Sequence, residues 1–342
     1  MLKLVGWKIR HQATRDSYNH LRHILKRHYD VPSEYRALKK LSGLSGITPV
    51  SVHCCVNSCH AYTGKYEALV ECSYCKEPRY TQKGQPRNHF LYIPLIPRLE
   101  AFFRNREMIQ RMSYRHDFRH NHDLIEDFFS TDRYQDLLRS RVQIQDEKGD
   151  IHTLSHCHFS DRRDIALAVY SDGVQLFKRS KVQKSCTPIL LTNMNLSPEI
   201  RTLLENLICL RIVPGPHSPK DINSFFYPAY LELLKLACGH STIDILASER
   251  FNLHAYVILH AGDLPDMAKW LGYKGAGAKS PCMECDIIGV RILAMDNVLR
   301  ASTNYYVPLK PPSTHPPPHI VWNPHQLPLR TDSTTVERLE EI

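Results

Sequence analysis

The chain has 342 residues, of which 42% are hydrophobic and 23% charged, a composition that is typical of globular proteins and excludes wholesale disorder. No apolar run approaches the roughly 20 residues of a membrane span, and the start MLKLVGWKIRHQ lacks the apolar segment of a secretory signal. We therefore expect a soluble intracellular protein of about two or three domains without a membrane partner, whose net charge of +9 suits a polyanion.

Residues 1–50 form a basic N-terminal region that we predict to be helical. The stretch LRHILKRHYDVPSEYRALKKL places Leu21, Ile24 and Leu25 on one helix face, with cations elsewhere. A solvated amphipathic helix is the ordinary interpretation of this pattern, and an arm that contacts DNA is the alternative.

Residues 51–82 contain a cysteine pattern typical of a zinc site. Two pairs occur, one with three intervening residues and one with two, and about a dozen residues separate them; they are Cys55, Cys59, Cys72 and Cys75. We predict a zinc-ribbon-like module in which AYTGKYEALVE forms a hairpin between two knuckles. Cys54 and His60 are competing ligands, and a set of buried thiols is the alternative. Four protein ligands leave no open position for chemistry, so the zinc would be structural.

Residues 83–160 are predicted to be a connector, mostly helical from about 85 to 140. The segment 142–160 then has the pattern of a polar hairpin with EKGD as its turn.

Residues 161–300 have the pattern of a mixed α/β core. We predict strands in DIALAVYSDGVQLF, TPILLTNMNL (187–196) and NLICLRIVPG (206–215), a helix over 224–238, a fourth strand over 251–263 and a further helix in LPDMAKWLGY. Asp221, Asn223 and Ser224 precede the first of these helices. We interpret Asp221 as its cap, with a metal or DNA contact as the alternative.

Two aspartates follow predicted strands of this core. Asp172 ends the first strand and Asp263 ends the fourth. If these strands are neighbours, both carboxylates project from one edge of the sheet, where they can hold Mg²⁺. Two such ions activate a nucleophile and stabilise the leaving oxygen in phosphodiester transfer. Ordinary turn and helix-entry roles are the alternative, but RNase H-like nucleases place acids on the first and fourth strands, an argument by fold analogy.

A second cysteine pair, Cys282 and Cys285, offers half of another zinc site. His315, His319 or His325 would complete it, and a packed knuckle without metal is the alternative. The region 301–342 is a Pro-rich loop and a tail.

Several blocks of the chain, in one order, resemble the transposases of CACTA-type (En/Spm-like) DNA transposons, especially their fungal members. The resemblance extends over about 50–330 and rests on CSYCKEPRY, FLYIPLIPRLEAFF, SDGVQLFK, ILLTNMNLSPEIR, VPGPHSPKDINSFFYP, GDLP, KSPCMECDIIGV, YYVPL and LPLR. It implies a cut-and-paste transposase with an RNase H-like core in which Asp172 and Asp263 are the first two catalytic acids. Cys282 and Cys285 match a cysteine pair that the family carries between its second and third acids.

The same resemblance implies Mg²⁺ as the catalytic ion, transposon ends and target DNA as partners, a homo-oligomer on the DNA, and nuclear localisation. It places the third acid beyond LPLR, and no match assigns that role to Glu337, Glu340 or Glu341. We therefore expect a C-terminally truncated member in which the RNase H-like core and the ancestral activity are incomplete. A non-catalytic zinc-dependent DNA-binding protein is the alternative, and a decayed product without function is the third.

Overall fold

The structure is a computed structural model that describes residues 2–121, 123–146, 148–175, 185–275, 277–291, 305–306, 322–323 and 325–331. It begins with three helices, α1 (Leu2–Arg10), α2 (Arg15–Leu25) and α3 (Glu34–Ser45). The predicted helical character is confirmed, but the apolar face is not, because Ile24 is 54% exposed and Val5, Tyr18 and Ala37 form the small core instead. Pro32 explains the break between α2 and α3, since the residue before a proline avoids helical backbone.

The cysteine segment lies between two paired strands, β1 (Val50–His53) and β2 (His89–Tyr92), which are antiparallel. The expected hairpin between the knuckles is wrong: the interval 61–71 contains a 3-10 turn at Gly64–Tyr66, and β1 pairs with the distant β2. Sequence patterns missed β2 because it is only four residues long, and its alternating burial depends on a partner more than 30 residues away.

The connector is mostly helical, as predicted. Its elements are α4 (Ile96–Phe103), α5 (Arg106–Arg111), α6 (Tyr114–Asp117), a 3-10 turn at Phe128–Ser130 and α7 (Asp132–Arg139). The predicted polar hairpin is confirmed as the antiparallel pair β3 (Arg141–Gln145) and β4 (Ile151–Cys157).

A mixed sheet forms the centre of the molecule, which confirms the α/β class. Its strands are β5 (Ile165–Ser171), β6 (Val174–Gln175), β7 (Ser185–Asn193), β8 (Ile208–Pro214) and, after the intervening elements given below, β11 (Ala255–Ala261). The order across the sheet is β8–β7–β5–β11, and β6 also pairs with β7. β5 is antiparallel to β7 and parallel to β11, so the first and fourth long strands are neighbours.

The elements around this sheet include an unpredicted hairpin. In chain order they are α8 (Pro198–Arg201), α9 (Ile222–Cys238), β9 (His240–Asp244), β10 (Glu249–Leu253), α10 (Leu264–Leu271), β12 (Val290–Arg291) and β13 (Tyr305–Tyr306). The prediction of one strand over 251–263 is wrong at its start. The chain changes partner at His254, so 249–253 pairs with β9 while 255–261 pairs with β5.

One hydrophobic core joins the sheet to the cysteine segment and the connector. β5 is buried on both faces, as expected for a strand between two others with layers above and below. Side chains from all three regions belong to this core, among them Leu167, Leu191, Leu210, Phe225, Leu99, Phe90, Ala61 and Cys54. The division of the chain into five regions stays a prediction.

Candidate active site and metal centre

Asp172 and Asp263 lie at the carboxyl ends of two neighbouring parallel strands. In that ladder Tyr170 pairs with Ala261, and each aspartate follows its member of the pair by two residues. The two aspartates therefore follow the ends of neighbouring strands at one edge of the sheet, in two exposed segments. Parallel strands are about 4.8 Å apart, so the two strand ends lie side by side.

The two aspartates differ in their local roles. Asp263 is the N-cap of α10, and its Oδ1 accepts a hydrogen bond from the backbone N–H of Asp266 at 2.7 Å. Neither Asp263 Oδ2 nor the carboxylate of Asp172 has a hydrogen-bond partner in the part of the chain that is described. The capping role that we considered for Asp263 is thus present, and it leaves one oxygen of that side chain for a ligand.

A buried polar group beneath this edge was missed by the sequence interpretation. Asp266 is only 4% exposed, and its Oδ2 accepts a 2.5 Å hydrogen bond from the hydroxyl of Ser171. Trp270 Nε1 donates to the same Ser171 oxygen at 2.7 Å. Ser171 precedes Asp172, and the backbone N–H of Asp266 donates a hydrogen bond to Asp263. These hydrogen bonds therefore connect the end of β5 with the end of β11. The signal in the sequence was an acid in the first turn of an apolar helix, which is also the pattern of an ordinary helix start.

Two further residues complete that packing. A Cβ added to Gly262 would lie 2.9 Å from Asp266 Oδ2, which explains a glycine immediately before Asp263. The ring of His260 packs edge-on against Trp270 with centroids 4.4 Å apart. Burial lowers the pKa of His260 and outweighs the opposite effect of the Asp266 carboxylate, so this imidazole is neutral at physiological pH.

The four predicted ligands of the first zinc site are brought together. The sulfur atoms of Cys55, Cys59, Cys72 and Cys75 all lie within 4.8 Å of one another. Four sulfurs placed tetrahedrally at about 2.3 Å from a zinc ion would be about 3.8 Å apart, so this cluster could bind zinc. The residues that connect the sulfurs form knuckles, with the backbone N–H of Asn57 donating to Cys55 Sγ at 3.3 Å.

The thiols of this cluster differ in the direction in which their pKa is shifted. Burial raises the pKa of Cys55 to about 11 and raises that of Cys59 further. Burial also acts on Cys75, but hydrogen bonds from the Glu77 backbone and the Asn57 side chain outweigh it and lower the pKa of Cys75 to about 7. Metal binding at this cluster would therefore release protons from the buried thiols.

The alternatives Cys54 and His60 point elsewhere. Cys54 is buried in the hydrophobic core beside Ala61, and burial raises its pKa to about 12. His60 is fully buried, its Nδ1 lies 2.8 Å from the carbonyl of Ala61, and its ring stacks on Tyr66 at 4.1 Å. The structure therefore selects Cys55 over Cys54, because consecutive residues of an extended segment face opposite sides.

The cysteine cluster is docked on the helix that follows the third long strand. The backbone N–H groups of Lys220 and Asp221 donate to the carbonyl of Cys59 at 2.9 and 3.0 Å. Asp221 Oδ1 accepts from the Ser224 N–H at 3.1 Å, which confirms Asp221 as the cap of α9. Its Oδ2 accepts from the hydroxyl of Tyr66 at 2.9 Å, so this side chain also holds the cysteine segment in place.

The second cysteine pair forms a knuckle without a third ligand among the described residues. The N–H of Cys285 donates to Cys282 Sγ at 3.2 Å, while Arg330 Nε donates to the carbonyls of Cys282 and Cys285. His325 is exposed and does not join them in a group of ligating atoms. His315 and His319 lie outside the described residues, as do Glu337, Glu340 and Glu341. Zinc at this pair stays a prediction.

Comparison with known proteins gives one result that bears on function. Residues 143–299 match the family model described as transposase family tnp2, and this segment contains both aspartates and the second cysteine pair. No curated protein matches the chain. None of the described helices combines the length and apolarity needed to cross a membrane. The match supports a transposase, and with it DNA as a partner.

Proposed function

We propose that this chain is a transposase-like protein of a cut-and-paste, CACTA-type DNA transposon, built on an RNase H-like core. The observation that supports the proposal is the register of β5 and β11, in which Tyr170 pairs with Ala261 and each aspartate follows its member of that pair by two residues. The strand order β8–β7–β5–β11, with two antiparallel pairs and one parallel pair, supports the RNase H-like assignment. The family match over 143–299 supports the transposase reaction.

The residues at this edge fit a magnesium ion. Both carboxylates are exposed, and Asp263 keeps one oxygen that no described residue binds. Mg²⁺ prefers oxygen ligands and keeps several waters, so an exposed pair of carboxylates suits it better than a buried site. When bound, the ion would supply a nucleophilic water or hydroxyl and stabilise the leaving oxygen of a phosphodiester. Asp172 and Asp263 would hold it, while Asp266 and Ser171 keep their segments together.

The ancestral reaction is hydrolysis at the element ends followed by strand transfer. Water attacks a phosphorus atom, the bond from phosphorus to the bridging 3′-oxygen breaks, and that oxygen leaves as a 3′-hydroxyl. This hydroxyl then attacks a phosphorus atom of target DNA, where the bond to the target's own 3′-oxygen breaks and that oxygen leaves as a new 3′-hydroxyl. We propose that the protein acts on DNA in the nucleus as a homo-oligomer. The third acid of the family would join Asp172 and Asp263 from beyond residue 330.

We also propose that zinc occupies the cysteine cluster in a structural role. Four thiol ligands satisfy a tetrahedral ion completely. The hydrogen bonds from the backbone N–H groups of Lys220 and Asp221 to the Cys59 carbonyl then hold the start of α9 against the metal-bound cluster.

The catalytic assignment is tested by nicking of DNA that carries the terminal repeats of the element, with and without Mg²⁺. Asp172→Asn and Asp263→Asn should each abolish Mg²⁺-dependent nicking, because each removes a charged ligand while keeping the shape of the side chain. Asp123→Asn, at another exposed position, is the matched control and should cleave like the unmodified chain. Nicking that survives either site substitution would refute the assignment. Binding without any nicking by the unmodified chain would favour the non-catalytic zinc-dependent DNA-binding protein.

The zinc assignment is tested by metal content of the purified protein. Cys55→Ser should lose the bound zinc, whereas Cys54→Ala, its neighbour in the sequence, should retain it because its side chain belongs to the core. Equal zinc content in the two variants would contradict the ligand set.

A further inference from the structure

We propose that the helices α1, α2 and α3 form a surface that binds the phosphate backbone of double-stranded DNA. Residues 1–45 contain ten lysines and arginines against three acids, a net charge of +7. The whole chain carries +9, so the other 297 residues contribute only +2. The proposal rests on the proposed function for the identity of the polyanion, and it adds the surface that binds it, which lies outside the segment matched by the transposase family.

These charges are held on a folded unit. Val5, Tyr18 and Ala37, one from each helix, pack together in a small core with Leu4 and Leu41. Thr14 caps α2 by accepting a hydrogen bond from the N–H of Ser17, and Ser33 caps α3 in the same way. A core and caps fix the direction in which each helix presents its outer side chains.

Four of the ten cations are already engaged, and one of them is Arg10, whose Nε donates to the carbonyl of Gly6 at 3.4 Å. Lys8 and Arg15 both form ion pairs with Glu34, at 3.2 and 3.3 Å, and the hydrogen bond from Lys8 is the main reason that the pKa of Glu34 is lowered. Arg22 Nε donates to the carbonyl of Val31 at 2.8 Å.

Seven exposed cations of this region have no acidic partner within 4.0 Å among the residues that the structure describes: Lys3, Arg10, Lys26, Arg27, Arg36, Lys39 and Lys40. The last three share one face of α3, since their spacing is three and four residues. Ala37 and Leu41 occupy the face toward the small core.

The helix dipole does not account for this arrangement. Lys26 follows the end of α2, where cations are favoured, but Arg36 lies in the first turn of α3, where the dipole favours anions. A solvated face would also gain from acids placed three or four residues from the cations, and α3 has none at those positions. The cations on this face repel one another in the free protein, and a bound polyanion neutralises that repulsion. Duplex DNA presents one negative charge per about 1.7 Å of its axis, which suits closely spaced cations.

The test is the salt dependence of binding of a fluorescently labelled DNA duplex to the full chain, in buffer without Mg²⁺ so that cleavage plays no part. Replacing Arg36, Lys39 and Lys40 together by Gln should reduce the slope of log affinity against log salt by roughly 2.7, at about 0.9 per phosphate contact. Over the range from about 50 to 200 mM salt, that slope corresponds to a difference of roughly 40-fold in affinity.

Two variants make the result decisive. The control variant carries Lys83→Gln, Lys148→Gln and Lys235→Gln, three exposed cations on other elements, and has the same net charge as the test variant. The charge-preserving variant carries Arg36→Lys, Lys39→Arg and Lys40→Arg. The proposal requires that the control and the charge-preserving variants keep the slope of the unmodified chain. An equal loss of slope in the control variant, or an unchanged slope in the α3 variant, would overturn it. Because no cleavage is measured, loss of nicking in the Asp172 and Asp263 variants is a separate result.

Discussion

Replacing Arg211 by methionine should stabilise the protein, which is unusual for a core substitution. Arg211 lies on β8, is 1% exposed, and none of its three guanidinium nitrogens has a hydrogen-bond partner among the described residues. Its Cζ atom lies 5.8, 5.9 and 5.4 Å from the ring centres of Phe90, Tyr92 and Phe226. The surroundings are thus apolar rings rather than acceptors, and methionine fills a similar volume without a charge.

The magnitude follows from the shift in its pKa. Burial lowers the pKa of Arg211 to about 9. At about 1.4 kcal/mol for each step of one in pKa, burial penalises the charged form by roughly 5 kcal/mol. Attraction to the three rings offsets part of this, at about 0.5–1 kcal/mol each, because the distances of 5.4–5.9 Å are close to the limit of about 6 Å for such contacts. We therefore expect Arg211→Met to raise the free energy of unfolding by about 2–3.5 kcal/mol.

The effect should depend on pH with a defined sign. The unfolded chain keeps the arginine proton at high pH, whereas the folded chain releases it above about pH 9, so between about pH 9 and 12 the unfolded state binds more protons. The penalty from Arg211 then decreases as the pH rises. The advantage of the methionine variant should be largest at neutral pH and should shrink above about pH 9.

The assay is urea unfolding at neutral and alkaline pH, with Arg98→Met as the matched control. Arg98 is partly buried, but its Nη1 donates to the carbonyl of Cys209 at 2.6 Å. Removing it should destabilise by about 1–3 kcal/mol, because a carbonyl loses its partner. If Arg211→Met destabilises the protein as Arg98→Met does, the reasoning is refuted. The contacts of Arg211 with the rings would then stabilise the fold by more than the desolvation of its charge destabilises it.

Three further predictions follow from the described contacts. Asp127→Asn should lower the free energy of unfolding by about 3–5 kcal/mol, because it leaves Arg201 buried without its carboxylate partner. Burial raises the pKa of Asp127, but hydrogen bonds from Arg201 and Tyr114 outweigh it and hold that pKa below its ordinary value. The stabilisation by the Asp127 carboxylate is therefore complete above about pH 4 and is lost as the pH falls through the lower pKa of the folded state. The difference in free energy of unfolding between variant and parent should then vanish in acid unfolding at low pH. Gly262→Ala should cost about 1–3 kcal/mol in thermal unfolding, since its Cβ meets Asp266 Oδ2 at 2.9 Å, and an unchanged unfolding temperature would show that α10 yields without cost. Removing zinc with a chelator should lower the unfolding temperature, and the same treatment of Cys55→Ser should have no effect; a chelator that leaves the parent unchanged would argue against a structural metal.

Elements with local sequence patterns could be predicted before the fold was known. The apolar run 165–171, the capping aspartate before α9 and the polar hairpin near 142–157 all appear where periodicity and turn residues placed them. The cysteine spacing identified the four sulfurs that the structure brings within 4.8 Å. These features depend on residues within a few positions of one another, or on a chemistry that few residue types share.

Other features depend on which elements come into contact in the folded chain. β1 pairs with β2 from more than 30 positions away. The fourth strand is divided at His254 because 249–253 pairs with the adjacent β9, whereas 255–261 pairs with the distant β5. Cys54 and Cys55 are the same residue type at adjacent positions, and the contact of Cys54 with the hydrophobic core distinguishes them. Asp266 has the sequence pattern of an ordinary helix start, and its hydrogen bond from Ser171 exists only because the fold brings α10 against the end of β5. Local propensity cannot encode these choices, because each is made by contact with a partner that lies alongside only in the folded chain.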